Sequence, residues 1–391
     1  MIPYYSPHFG INELIKALFC NQSKIKLFNY FRKVTGKKYI LITSSCRSAL
    51  YLAYKVIEKQ GIVHTSPLTC QVALYPILAT GNKICFHDIK RDDWTINPDT
   101  IPGAITSDSI AIQAIHLGGF PCDMVSLRKM ANEYSLILIE DCAQGFGSKY
   151  QGYNAGELGD ISCFTLTKNL FGLGGGVFAT DNEEWYKKAE IIQNSFIEEN
   201  PLKIIYRIIM SILSTYRNLP IFNKTYCNIK NKKKINNDIY SVQKLLDELT
   251  KPPTLYSKAI VARFRQIKEL VEIRKKQSKD LLTYLNISKD MYQYNDCAES
   301  SYTKLYILFN KNANEIIKWL NNHGIETMHL EHKYNKYYQE KLIKYHYDLS
   351  NIPKTPVYDF INDVIVSIPV IEGIDNDKQK YMITTLKSAM L

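Results

Sequence analysis

Short apolar, β-branched runs alternate with helix-length stretches through the first 190 residues. The runs Lys38–Thr43, Ile62–Thr65, Lys83–Ile89, Ile110–His116, Leu136–Asp141, Ile161–Thr165 and Val177–Thr180 predict strands. Arg47–Lys59 and Met124–Tyr134 predict helices between them. Such alternation specifies an α/β domain with a largely parallel central sheet. Its ligand belongs at the carboxyl ends of the strands, where the loops gather. After residue 196 the rhythm changes. Ile204, Ile205, Ile208, Ile209, Ile212, Leu213 and Tyr216 recur at about four-residue spacing, which on a helix makes one apolar stripe. Beyond Pro252-Pro253 a long helical pattern covers Tyr256–Leu285, then short strands and helices lead to a final helix at Asn376–Met390. The chain thus divides into a large α/β domain (1–196), a partly amphipathic helical insertion (197–252) and a smaller C-terminal α+β domain with a linking helix (253–391).

Charge sharpens this division. The 391 residues carry a net +11, and residues 201–250 hold nine Lys+Arg against three Asp+Glu, which is +6 of it. Lys203, Arg207 and Arg217 flank the apolar stripe, and Lys230, Lys232, Lys233 and Lys234 follow it. An apolar face bordered by cations suits peripheral contact with an anionic membrane surface through 203–234, and equally suits packing on the protein's own body. The basic balance does not require nucleic acid, because Lys, Ile, Asn and Tyr are abundant together, as an AT-rich coding sequence produces. It does favour an anionic substrate. Nine cysteines, odd in number, scattered and without a C-x-x-C, exclude a zinc finger or a disulfide framework. Reduced thiols, no metal and a cytoplasmic location are expected. The first 19 residues lack the pattern of a signal peptide.

Three segments carry chemistry. In the first, an apolar run ends on Glu140-Asp141, ahead of Cys142-Ala143-Gln144. A carboxylate at a strand's end stands where such folds hold ligands, although alone Asp141 reads as readily as a helix cap. In the second, Lys168 follows the strand ending at Thr165 and precedes Gly174-Gly175-Gly176. The flanks are apolar and the polar neighbours small, a setting in which a lysine forms a Schiff base. The glycines precede a strand and open no helix, which rules out a dinucleotide fingerprint. In the third, Ser44-Ser45-Cys46-Arg47-Ser48 joins a strand to a helix start. Backbone N–H groups and the helix dipole make an anion site there, to which Arg47 can add a bidentate contact. A phosphate cradle, a strand-end acid and a Schiff-base lysine together suit pyridoxal phosphate, with the acid holding the pyridine nitrogen protonated.

At these residues the sequence resembles the DegT/StrS-type nucleotide-sugar aminotransferases, which are fold-type I pyridoxal-phosphate enzymes. The resemblance rests on Asp88-Ile89, His116-Leu-Gly-Gly-Phe-Pro-Cys-Asp123, Glu140-Asp-Cys-Ala-Gln144, Gly159-Asp160, Thr167-Lys-Asn-Leu170 and the three glycines. Gly324-Ile325, His329 and Ser367-Ile-Pro369 extend it into the C-terminal part. By matching position it implies that Lys168 holds the cofactor, Asp141 pairs with its ring nitrogen and Gln144 lies by its ring hydroxyl. Ser45, Cys46, Arg47 and Ser48 would surround its phosphate together with Thr165. Cys70 would occupy the place of the usual stacked aromatic, and His329 would lie near substrate.

Departures accompany the likeness. Cys46-Arg47 replaces the usual Gly-Thr, and the segment between Thr165 and Lys168 is two residues short. Anchoring on Lys168 would put Cys163 at the phosphate position in place of Thr165, whose hydroxyl favours it. The usual Asn-x-Arg segment that reaches the partner subunit's phosphate is not recognisable, a charge that Arg47 can replace. The resemblance implies a homodimer that moves an amino group, with glutamate the expected donor, onto a nucleotide-linked ketosugar for surface-glycan synthesis. The family's sugar dehydratases carry His where this chain has Lys168. A non-catalytic binding protein on the same fold is the other alternative.

Overall fold

The computed structural model describes residues 2–4, 9–170, 172–217, 219–235, 241–329, 354–370 and 374–390, the side chains at 71, 220, 230–235, 328 and 329 excepted. Seven strands form the central sheet: β1 (Tyr39–Thr43), β2 (Ile62–Thr65), β3 (Lys83–Phe86), β4 (Ser109–Ile115), β5 (Ile137–Asp141), β6 (Ile161–Thr165) and β7 (Gly176–Thr180). Their order is β1-β7-β6-β5-β4-β2-β3. Only β7 runs antiparallel to its neighbours. All seven predicted strands are present. The third stops at Phe86 because the chain turns away there, and Ile89 makes only an isolated bridge with Ile96.

Buried on both faces, the strands are mostly apolar, as parallel strands under helices tend to be, with a few buried polar residues such as His64, Gln113, Glu140 and Asp141. The helices α1 (Ile11–Leu18), α2 (Ser23–Thr35), α3 (Cys46–Val56), α4 (Met124–Glu133) and α5 (Glu183–Asn194) belong to this part of the chain. Their starts follow side-chain chemistry. Ser45, Asp123 and Asn182 each accept a backbone N–H of the first turn and so fix where α3, α4 and α5 begin.

The insertion is a closed excursion. Ile197–Glu198 pairs in parallel with Thr250–Lys251, clipping its two ends together. Between them lie α6 (Pro201–Thr215), α7 (Pro220–Ile235) and α8 (Val242–Asp247). The predicted apolar stripe is helical, and one side of α6 packs inward. Ile208 meets Phe9, Leu173, Tyr256 and Ala259, and Ser211 and Thr215 exchange hydrogen bonds with the backbone of Phe9. Ile205 and Ile209 remain about half exposed. The lysines at 230–234 lie on α7 with side chains outside the described residues. No helix among the described residues is long and apolar enough to cross a membrane.

The predicted helix Tyr256–Leu285 is two helices, α9 (Thr254–Val261) and α10 (Phe264–Leu285). At the break the Arg263 side chain turns into the interior, and its N–H bonds the carbonyl of Ile260, three residues back. A three-stranded antiparallel sheet follows, from β8 (Leu305–Leu308), β9 (Met328–His329) and β10 (Ile365–Ile368), in the order β8-β10-β9. With α11 (Ala313–Asn322), α12 (Pro356–Val364) and α13 (Asn376–Met390) it completes the C-terminal part. Leu281, Ile307, Leu320, Val366 and Leu386 form its core.

Candidate active site

The carboxyl ends of β5 and β6 and the amino end of α3 converge on one cavity of about 370 Å³. Ser45, Arg47, Asp141, Gln144, Thr165 and Lys168 all line it. Cys46 and Cys70 do so as well. Elements far apart in sequence meet here because parallel strands direct all their following loops to one edge.

Ser45 caps α3. Its Oγ accepts the Ser48 N–H at 3.1 Å, and the hydroxyls of Ser44, Ser45 and Ser48 are linked at 2.9 Å. Ser48 is buried behind this cap. The glycine run allows the next strand to approach. A Cβ on Gly176 would lie 2.4 Å from the Ser45 carbonyl carbon, so only glycine fits against the α3 turn. Thr165 and Thr167 share a hydroxyl hydrogen bond of 2.9 Å on the adjoining wall. Thr165 lines the cavity, whereas Cys163 is fully buried outside its lining.

Alternation along β5 separates its two acids. Glu140 is fully buried and accepts the backbone N–H groups of Gly156 and Gly159 and the Nε2 proton of His116, the last at 3.0 Å. The Cys122 N–H donates to His116 Nδ1, which places that ring's proton on Nε2. Burial alone would raise the Glu140 carboxyl, but His116 and the two backbone donors outweigh it and hold it below its usual range. Glu140 therefore acts as a structural anchor. Asp141 faces the cavity. Its Oδ1 accepts the Ala143 N–H at 3.0 Å, with the Cys46 thiol at 3.9 Å. Burial pushes this carboxyl up, partly offset by the Ala143 N–H and Lys168. The thiols of Cys46, Cys142 and Cys163 are likewise pushed well up by burial, so they remain neutral beside it.

Lys168 sits on a loop that Asn169 holds. The Asn169 amide donates to the carbonyls of Gln144 and Phe146, at 3.0 and 2.8 Å, and to Ser301 Oγ at 3.1 Å. Its Oδ1 accepts Arg274 Nη1 and the Thr303 hydroxyl. One buried amide thus ties the lysine loop to the β5 loop and to the C-terminal part. The Gly118 N–H fixes Gln144 through its Oε1 at 2.9 Å.

Two residues of the insertion bear on this cavity, Arg207 in its lining and Glu248 through Arg47, and neither is evident as a site residue in the sequence. Glu248 pairs with Arg47 at 2.8 Å. Arg207, from α6, joins the lining beside Gly174 and donates to the Tyr256 hydroxyl. Nothing in local pattern distinguishes Arg207 from the other cations flanking the stripe, because its placement depends on how the insertion folds back. Asn169 appears in the sequence only as part of a motif, with no sign of the bonds it makes. His329 pairs through its backbone with Val366 on β10, and its side chain lies outside the described residues.

A model of the DegT/DnrJ/EryC1/StrS aminotransferase family matches residues 18–208. The chain is 31% identical over 203 residues to the spore coat polysaccharide biosynthesis protein SpsC of Bacillus subtilis, covering 49% of this chain and 52% of that protein. It is 30% identical over 204 residues to the GDP-perosamine synthase of Escherichia coli O157:H7, covering 48% and 55%. The chain thus spans about half the length of the curated relatives it matches. Among solved structures, the aminotransferase TlmJ of Streptoalloteichus hindustanus superposes with a TM-score of 0.77 at 15% identity, over 100% of this chain and 98% of that one. The GDP-4-keto-6-deoxy-D-mannose-3-dehydratase of E. coli superposes with a TM-score of 0.76 at 17% identity, over 99% of each. The chain has the fold these proteins share.

Proposed function

We propose, from the DegT/DnrJ/EryC1/StrS aminotransferase domain that this chain carries over residues 18–208, that it is a pyridoxal-phosphate-dependent aminotransferase acting on a nucleotide-linked ketosugar. The carrying observation is that Lys168 and Asp141 line one cavity together with the hydroxyl residues Ser44, Ser45, Thr165 and Thr167 and the amino end of α3. The donor set fits the cofactor. Asp141, raised by burial, calls for a cation such as a protonated ring nitrogen. Ser45, Thr165 and Thr167 supply hydroxyls for a phosphate, and the cavity volume suits one cofactor with part of a substrate.

Bound there, the cofactor supplies an electron sink for carbon–nitrogen chemistry. Asp141 keeps the ring nitrogen protonated. Lys168 would hold the cofactor through its amine and would be the base that moves the proton at the reacting carbon. Gln144, fixed by Gly118, orients the ring from its hydroxyl side. Ser45 and the first turn of α3 take the phosphate. Asn169 holds Lys168 at its working position. The amino donor in this reading is glutamate, the assembly is a homodimer, and the product serves surface-glycan synthesis, as the name of SpsC suggests for that relative. The fold is shared with a dehydratase, so Lys168 is the residue on which aminotransferase chemistry turns.

The test is spectroscopic and chemical. The purified protein should show a visible band that borohydride abolishes, leaving the cofactor covalently retained on Lys168. Its aminated form should return that band when given a nucleotide ketosugar. A colourless protein that binds no pyridoxal phosphate would refute the assignment.

A further inference from the structure

The cavity is lined by three cations, Arg47, Lys168 and Arg207, and by one carboxylate, Asp141. Lys168 and Asp141 are accounted for by the proposed chemistry. The two arginines differ in how they are compensated. Arg47 lies 2.8 Å from Glu248. Arg207 lies 3.8 Å from Glu199, and that same carboxylate is 3.1 Å from Lys203. Among the described residues one anion therefore serves two cations, and this corner carries an excess of positive charge. The Glu199 side chain is 1% exposed, and its other oxygen is taken by the Thr250 hydroxyl at 3.1 Å, so it cannot move out to follow either cation.

Arg207 is also held for a purpose. Its Nη1 donates to the Tyr256 hydroxyl, and its guanidinium lies 5.2 Å from the centre of that ring. A Cβ on Gly174 would fall 2.2 Å from Nη1, so the glycine run makes room for this arginine as well as for α3. Gly175, the next residue, bridges to Ser45, the α3 cap. The guanidinium is thus placed against the same loop that abuts the hydroxyl cradle. It is planar, permanently charged and suited to bidentate recognition of phosphate.

We propose that Arg207, delivered by the insertion, is the cavity's phosphate-reading cation, and that the insertion is therefore a wall of the active site. The inference rests on the function proposed above and deepens it. The chemistry is a phosphate group, which two sources can present: the cofactor's own phosphate or the diphosphate of the nucleotide-linked substrate.

Arg207→Gln and Arg207→Lys, compared with the wild-type chain, separate them. Affinity for pyridoxal phosphate is titrated by its visible band and set against pyridoxal, which lacks the phosphate. Affinity for GDP, UDP and dTDP is measured by calorimetry on the cofactor-loaded protein. If Arg207 reads the cofactor, Arg207→Gln weakens pyridoxal phosphate about tenfold to a hundredfold and leaves pyridoxal unchanged. If it reads the substrate, cofactor affinity holds and nucleoside diphosphate affinity falls by a similar factor. Arg207→Lys, which keeps charge but loses the planar fork, falls between. Binding of inorganic pyrophosphate to the same proteins tests the arginine without either ligand. A wild-type chain that forms no visible band refutes the function proposed above, and pyrophosphate binding then decides on Arg207 separately. Thermal unfolding confirms that each variant is folded. Folded Arg207→Gln with every one of these affinities at the wild-type value overturns the proposal.

Discussion

Burial raises the carboxyl of Asp141 and a neighbouring cation lowers it, so this carboxylate and a cationic group beside it favour each other's charge. That is the electrostatic condition for protonating a ring nitrogen, and an amide cannot meet it. Asp141→Asn is therefore expected to lower turnover by on the order of a hundredfold or more while cofactor affinity falls less, checked by steady-state rates against cofactor titration. Lys168→Ala should remove the visible band and borohydride trapping with the unfolding midpoint near wild type; a variant that retained trapping would move the anchor to another lysine. Both residues were legible in the sequence, because Asp141 ends a strand, Lys168 follows one closely, and their neighbours are small or apolar. Arg207 and Glu248 were not. Their roles depend on an insertion folding back over a cavity built from earlier parts of the chain, and neither periodicity nor motif encodes that return. Asn169 lies between these cases: adjacent to the lysine in sequence, but acting through Gln144, Phe146, Ser301 and Thr303, contacts that only the tertiary structure supplies.

At the scale of elements, the strands of the central sheet could be read because a strand covered on both faces is mostly apolar and β-branched, and the glycines and caps mark its ends. The long helical pattern after Pro253 failed differently. Its periodicity is continuous through Ala262-Arg263, yet the helix is interrupted there, where Arg263 is 1% exposed. Another long-range element contact is made by Asp88. Its carboxylate lies just beyond β3 and is buried. It accepts the backbone N–H groups of Val357 and Tyr358 at the start of α12, at 3.1 and 3.0 Å, as well as that of Ile89. One side chain from the large sheet thus caps a helix of the C-terminal part. Asp88→Ala should destabilise the protein by about 1–2 kcal/mol, with Asp88→Asn recovering part of that. The measurement is urea unfolding combined with hydrogen exchange, where the Val357 and Tyr358 amides should lose protection first. Protection equal to wild type would show that α12 is held by packing alone.

At the scale of the whole molecule, two properties follow from what is buried and what is not. His64 and His87 form a closed relay inside the sheet: Ser109 Oγ to His64 Nε2 at 2.8 Å, His64 Nδ1 to His87 Nε2 at 2.8 Å, and His87 Nδ1 to the Thr100 carbonyl at 3.0 Å. Every ring nitrogen is used by a neutral imidazole, and the Cys85 thiol lies close to both rings. Burial lowers the two pKa values to about 4 and about 3. Both lie below the ordinary histidine value, so the unfolded chain takes up protons first as pH falls. The stability contribution is complete above about pH 6.5 and is lost as pH drops through the range toward 4 and 3. Urea midpoints should therefore decline steadily between pH 6.5 and 4, and unfolding at pH 5 should absorb about two protons from this pair. A flat profile would mean the relay accepts protons without opening.

The surface carries the second property. On α1, Ile11, Ile15 and Leu18, with Phe19 just beyond, lie three or four residues apart and form one stripe. Phe19 is 80% exposed and the other three about half. Ile25, at the start of α2, is exposed as well. An apolar row of this size on one short helix is costly to leave in water and marks a contact surface. In the homodimer proposed here its occupant is a second copy of the chain. Leu18→Glu combined with Phe19→Glu would place four charges in a symmetric interface without touching the sheet or the cavity. Sedimentation equilibrium should show the wild-type chain as a dimer and the double variant as a monomer, with unchanged far-UV circular dichroism. If the cavity also draws on the neighbouring copy, the monomer should lose turnover while retaining its fold. A double variant that stays dimeric at micromolar concentration would place the interface away from α1, and the exposed row would then be a surface for some other partner.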